Sequence, residues 1–168
     1  ASNLSVTNTF QNIGIYNQTA NTTFFDKNGG AIDIAGGGTH TFYNLQISEG
    51  TTVTTTNDLR VMADFINSNS TTASAFKASA GTVSFVQSTN TRQSIKETGV
   101  GSFGSLGFFN LSFPSHAALR NRNLAASFTV TQLMSIGNLV SVNFENSNWR
   151  QVEVNNLIVG SGTSGALT

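Results

Sequence analysis

Cysteine is absent from the chain, which excludes disulfides and thiolate metal sites but not secretion. Charge is scarce as well. Charged residues make up only 10% of the 168 residues, against about 25% in an average soluble domain. Eight Lys and Arg balance eight Asp and Glu. That balance leaves no basic stripe for nucleic acid and no acidic tail. No apolar run reaches the ~18 residues of a membrane helix, so membrane insertion is not expected. The opening "ASNLSVTNTF" lacks the charged start and apolar centre of a signal peptide. If the chain is exported, its signal has been removed. Helical periodicity is missing too: apolar residues do not recur at i, i+3, i+4 and i+7, and poor helix formers interrupt every stretch.

What fills the chain instead is small and polar: 22 Thr, 20 Ser, 20 Asn and 16 Gly. Thirteen Phe and many Val, Ile and Leu are spaced among them, which argues against disorder. The spacing is that of strands. Leu4-Ser5-Val6, Ala31 to Ile34, Leu45-Gln46-Ile47, Leu59-Arg60-Val61, Thr82 to Phe85, Val140 to Phe144 and Val152-Glu153-Val154 all alternate, each bounded by Gly, Asn or Ser. Ala117 to Met134 is the least strand-like stretch, and strand is the expectation there too. The class is all-β.

An Asn-Leu strand recurs as Asn3-Leu4-Ser5-Val6, Asn44-Leu45-Gln46-Ile47, Asn110-Leu111-Ser112-Phe113 and Asn156-Leu157-Ile158-Val159. Variants occur at Asp58-Leu59 and Asn138-Leu139. In a longer alignment "LSVTNTFQN" matches "LRVMADFIN", setting Leu4, Val6, Phe10 and Asn12 against Leu59, Val61, Phe65 and Asn67. Both segments run through a polar stretch into a Gly-led strand, "GAIDI" or "GTVSF". Both end in aromatic-aromatic-Asn-Leu, at Phe42-Tyr43-Asn44-Leu45 or Phe108-Phe109-Asn110-Leu111. The pattern divides one repetitive β domain, 1–168, into units of approximately 4–58, 59–113 and 114–168. Short strands and polar turns in a repeat predict a β-solenoid, in which each coil buries its apolar row only against the next. Asn at the turns is expected to ladder with its stacked equivalents. A β-sandwich of similar hairpins is the alternative.

The units "LRVMADFINSNSTTASAFKASAGTVSFVQSTNTRQSI" and "FFNLSF" resemble repetitive, β-helical, adhesin-like surface proteins of Bacteroidetes-type bacteria. The positions that carry the resemblance are Leu59, Val61, Phe65, Asn67, Gly81, Val83, Phe85, Gln93, Ile95, Phe108, Asn110, Leu111 and Phe113. It implies a secreted, cell-surface structural or adhesive tract and no catalytic residue. The C-terminal "NLIVGSGTSGALT" also reads like the internal "NLQISEGTTVTTT", which is followed by "NDLRVMADF", itself similar to the start "SNLSVTNTF". Joining Thr168 to Ala1 therefore nearly recreates an internal junction. Two expectations follow: a segment flanked by further repeats of the same chain, or a subunit that associates head to tail with its own copies.

Chemistry-bearing constellations are few. His40 and His116 lie far apart in sequence, and neither has a metal-ligand spacing, so turn or surface histidines are expected. Asp26 and Asp33 flank "KNGGAI", without the spacing of a calcium-binding repeat or loop. "AGGGTH" lacks the Lys-Ser/Thr of a phosphate loop and reads as a tight turn. The acids are scattered singly, so no catalytic pair, cofactor or metal site is expected. Threonines of "TTVTTT" at 51–56 read as exposed strand residues. Asn-x-Ser/Thr acceptors start at Asn3, Asn17, Asn21, Asn69 and Asn110. Tyr43 and Trp149 are the candidate ligand contacts, through stacking on sugar rings. The expected role is a non-enzymatic, extracellular filament or adhesin-stalk unit. A carbohydrate-binding module is the alternative, and a polysaccharide-active enzyme comes third.

Overall fold

A computed structural model describes residues 2–86, 92–98, 103–116, 120–144, 151–160 and 166–167, with the backbone path alone at 120, 121, 166 and 167. Every described element is a strand. The first coil holds β1 (Leu4–Val6), β2 (Phe10–Gln11) and β3 (Ile15–Asn17). The second holds β4 (Thr22–Phe25), β5 (Ala31–Ala35) and β6 (Thr39–Phe42). The third holds β7 (Asn44–Ile47), β8 (Thr52–Thr55) and β9 (Leu59–Val61), and the fourth β10 (Asp64–Asn67), β11 (Ser74–Ala78) and β12 (Thr82–Phe85). In the next two coils β13 (Gln93–Glu97) precedes β14 (Ser105–Phe113), and β15 (Arg120–Ala125) precedes β16 (Phe128–Ile136). β17 (Val140–Phe144), β18 (Val152–Val154), β19 (Leu157–Val159) and β20 (Ala166–Leu167) follow.

Each strand pairs in parallel with its counterpart one coil away, giving three rows of strands around one core. The first row runs β1-β4-β7-β10-β13-β15-β17-β20. β2, β5, β8, β11 and β18 lie in the second row, and β3, β6, β9, β12 and β19 in the third. β14 and β16, nine residues each, turn that corner unbroken, with the first half in one row and the second half in the next. The chain is a β-solenoid. A sandwich of hairpins would need antiparallel neighbours, whereas every pairing here is parallel.

Alternation sends every second side chain inward, and register stacks these into columns. In the first row Leu45, Phe65, Ile95 and Leu124 follow one another, each at most 2% exposed. In the third, His40, Leu59, Val83, Leu111, Met134 and Leu157 form one column. Phe42, Val61, Phe85, Phe113, Ile136 and Val159 form its neighbour, where the Phe85 and Phe113 rings stack 5.2 Å apart. Phe65, Phe76, Phe108 and Phe128 meet edge-on or tilted across the centre, with centroids 5.0–5.8 Å apart.

These columns explain the repeat. Leu59, Leu111 and Leu157 occupy one column in alternate coils, with Val83 and Met134 between them. Leu4 and Leu45 likewise flank Thr23 in the first row. The Asn-Leu period is therefore two coils, which accounts for spacings of 41 residues from Leu4 to Leu45 and 52 from Leu59 to Leu111. The alignment of Leu4 with Leu59 joins different faces, because Leu4–Val6 lies in the first row and Leu59–Val61 in the third. It matches strand-turn-strand corners, not positions within a coil.

The two-coil period also changes the expected Asn ladder. Asn3, Thr22, Asn44, Asp64 and Ser94 follow one another in one column, so no amide stacks on an amide. Asn3, Asn44 and Asp64 instead reach the backbone of the next coil. Asn3 Oδ1 accepts from the Thr22 N–H at 3.1 Å, Asn44 Oδ1 from Asp64 at 3.1 Å, and Asp64 Oδ1 from Ser94 at 3.1 Å. In the third row Asp58 Oδ1 accepts from the Thr82 N–H at 2.7 Å, while Asn110 and Asn156 donate to Gly81 O and Gln132 O. The glycines of "AGGGTH" serve the same stacking. Gly36 has φ +94°, and a Cβ there would sit 2.1 Å from the Asn12 carbonyl oxygen of the coil below.

Candidate functional site

Most of the repeat positions named from sequence are core or corner residues. Val6, Leu45, Ile47, Leu59, Val61, Phe65, Leu111 and Phe113 are buried. Phe10 packs against that core from a half-buried position. Asn12 donates to Thr39 O at 2.9 Å, and buried Asn67 donates to Gly104 O at 2.8 Å. Tyr43 is half-buried, its backbone N–H donating to Gln18 Oε1 at 3.2 Å. Trp149 lies outside the described residues.

Two expectations about single residues are corrected. His40 is fully buried in the third-row column, with its ring beside Phe10 at 6.1 Å, and is no surface histidine. Alternation turns it inward between Thr39 and Thr41. Thr51 and Thr55 are buried as well. Thr51 Oγ1 accepts from the Lys27 N–H at 2.8 Å, and Thr55 Oγ1 donates to Ile34 O at 3.1 Å. The threonines of 51–56 thus do not form one exposed array.

Lys96 pairs with Asp64 at 2.6 Å. Asp33 accepts from Thr54 Oγ1 at 3.1 Å, and His116 lies 3.3 Å from an Arg122 nitrogen. Among the described residues no group of three or more His, Asp or Glu side chains is placed to hold a metal ion. No described helix is long and apolar enough to cross a membrane.

The ends of the solenoid are where unused binding capacity concentrates. Among the described residues β1, β2 and β3 each pair on one side only, as do β18, β19 and β20. Their inward positions carry core-type residues left uncovered. Leu157 is 46% and Val159 38% exposed, whereas Met134 and Ile136, one coil below in the same columns, are each 1% exposed. At the other end Leu4 is 36% exposed above a fully buried Thr23. Ile13, Ile15 and Ile158 add exposed apolar surface beside them. Such edges offer both unpaired backbone groups and apolar area to an incoming strand.

No family model, curated protein or solved structure matches this chain. The site is therefore read from its own geometry.

One feature on the outer surface went unread in the sequence. A groove of about 620 Å³ crosses β11, β14 and β16, with Gly107 on its floor and Phe109 on its wall. Its signal was the glycine inside "SLGFFNLSF", where a strand pattern calls for a side chain.

Proposed function

We propose that this chain is a structural unit of an extended extracellular β-solenoid, a fibre or adhesin stalk at a bacterial cell surface. It has no catalytic role in this reading, and its partner is more of the same architecture. The observation that carries the proposal is the pair of uncovered end coils, whose inward Leu4, Leu157 and Val159 occupy core columns with nothing described stacked on them. A further parallel strand on each edge would satisfy its backbone groups and bury those residues. The neutral coat of Asn, Ser and Thr favours the same role, because fibres lying side by side would meet little charge repulsion. The resemblance of the repeat to adhesin-like surface proteins agrees with it.

Negative-stain microscopy and sedimentation of the purified chain test the proposal. Filaments, or concentration-dependent linear oligomers, are expected. Replacing Leu157 and Val159 with Lys should leave dispersed single units that retain their β circular dichroism. A wild-type chain that stays monomeric at high concentration would overturn end-to-end assembly. The glycan-binding alternative has its own carrier in the groove at Gly107.

A further inference from the structure

We propose that the groove over β11, β14 and β16 binds an acidic glycan chain, with a uronate carboxylate on Lys77 and a pyranose face on Phe109. The groove itself lies on β11, β14 and β16, between the solenoid ends, and only its extension reaches the end strand β18. On the outer face of the second row, Lys77, Gly107, Thr129 and Glu153 are in register across successive coils. The groove is lined by Ser105, Thr129 and Thr131 as well as Lys77, Gly107 and Phe109. A smaller hollow of about 170 Å³ shares Ser105 and Thr129 and extends it to Glu153. The depression is therefore a trough along the solenoid axis, suited to a polymer.

Gly107 makes the trough, and no packing requirement explains it. It is the one glycine inside a described strand. Leu106 and Phe108 point into the core, so residue 107 faces outward. A Cβ added there would meet only the Phe76 carbonyl oxygen, at an ordinary 3.5 Å. Gly36, Gly81 and Gly104, by contrast, have backbone of another coil or turn about 2–3 Å from an added Cβ. A strand-interior glycine costs stability, and one without crowding marks a place where something else approaches the backbone.

The chemistry of the lining selects the ligand. β11 is paired on both sides, by β8 and β14, and the first half of β14 by β11 and β16. No free edge remains for an extended peptide to join as a strand. Recognition falls to hydroxyls, which bond sugar hydroxyls, and to the part of the Phe109 ring left exposed where it packs on the core, which covers the apolar face of a pyranose. Lys77 is exposed, and its ladder neighbours Thr54 and Gly107 carry no charge. Along its own ladder the first carboxylates are Asp33, two steps away, and Glu153, three steps away. A cation so placed calls for a carboxylate from the ligand. One lysine is too little for nucleic acid.

Isothermal titration with a galacturonic acid hexamer, and with the matching neutral galactose hexamer, tests the site. The wild-type chain should bind the acidic oligomer saturably and more tightly than the neutral one. Gly107→Leu fills the trough and should abolish that binding while leaving the thermal midpoint unchanged or raised. Lys77→Met, at an exposed position, should weaken binding of the acidic oligomer about tenfold or more and leave the neutral oligomer unaffected. Three results would overturn the proposal: no saturable binding of the acidic oligomer by wild type, equal affinity for both oligomers, or undiminished binding to Gly107→Leu.

Discussion

Asn69 is fully buried at the corner between β10 and β11, and both ends of its amide are engaged. Its nitrogen donates to Thr51 O and Thr72 Oγ1, and its oxygen accepts the N–H groups of Thr71 and Thr72, each at 3.1 Å. One side chain thus ties a turn to itself and to the coil below, and the same burial withdraws this Asn-x-Ser/Thr acceptor from modification. Asn69→Ala would leave the buried Thr51 carbonyl without this donor and remove the acceptor that holds the Thr71 and Thr72 N–H groups in the turn. A loss of about 2–3 kcal/mol is expected in denaturant unfolding. Glu49 works from the outside of this corner. Hydrogen bonds from the Thr71 side chain and from Ser70 hold its carboxyl below the ordinary carboxylate range. A depressed folded pKa means that the contribution is fully present above the ordinary carboxylate range and is lost as pH falls through the folded value. Wild type should lose more thermal stability than Glu49→Gln across that acidic window. Parallel melting curves for the two proteins would reject the linkage.

At the scale of the element, the aromatic pair before Asn-Leu is a corner device. Phe42 and Phe108 point inward and are fully buried, whereas Tyr43, at a bend, and Phe109, within β14, are only partly buried. The following Leu, at 45 or 111, returns to the core. Phe108→Ala should therefore cost about 3–5 kcal/mol, because it empties the centre of the Phe65, Phe76 and Phe128 cluster. Phe109→Ala should cost far less. Equal losses in urea unfolding would show that the two positions are not inside and outside. Strand class and inward positions such as Leu45 and Val61 were legible in the sequence, since alternation directly reports which side is buried. The length of the coil was not. Thr23, Val83 and Met134 take the Leu position in the intervening coils, so the visible period is double the structural one. Buried polar residues such as His40, Thr51 and Asn69 were unreadable for a different reason. Thr51 and Asn69 bond backbone groups of a neighbouring coil, and the His40 ring meets Ala35 O across a corner of its own coil, none of which local composition records.

For the whole molecule, end-to-end assembly fixes a geometry. Among the described residues the first row holds eight strands, and the other two hold seven each. β20 thus stands one strand above its neighbours, and every strand in the solenoid stacks on the one three arms earlier. The incoming β1, β2 and β3 continue that succession only by pairing with β18, β19 and β20 in turn, which rotates each copy by one face. Stacking without rotation would set β1 on β20 and leave β18 and β19 a full strand spacing short of contact, about 4.8 Å. In the rotated arrangement Leu4 and Val6 meet the inward Val152 and Val154, and Ser5 lies opposite Glu153 of the next copy. Adjacent parallel strands bring such Cα atoms within the 4.4–6.8 Å that a disulfide requires. The chain has no cysteine of its own, so a Ser5→Cys, Glu153→Cys protein reports on this contact alone. Mild oxidation should produce a ladder of covalent multimers on a non-reducing gel, and each single-cysteine protein should stop at dimers. Filaments that form without the ladder would reject the rotation while leaving assembly intact. The absence of both would remove the fibre itself.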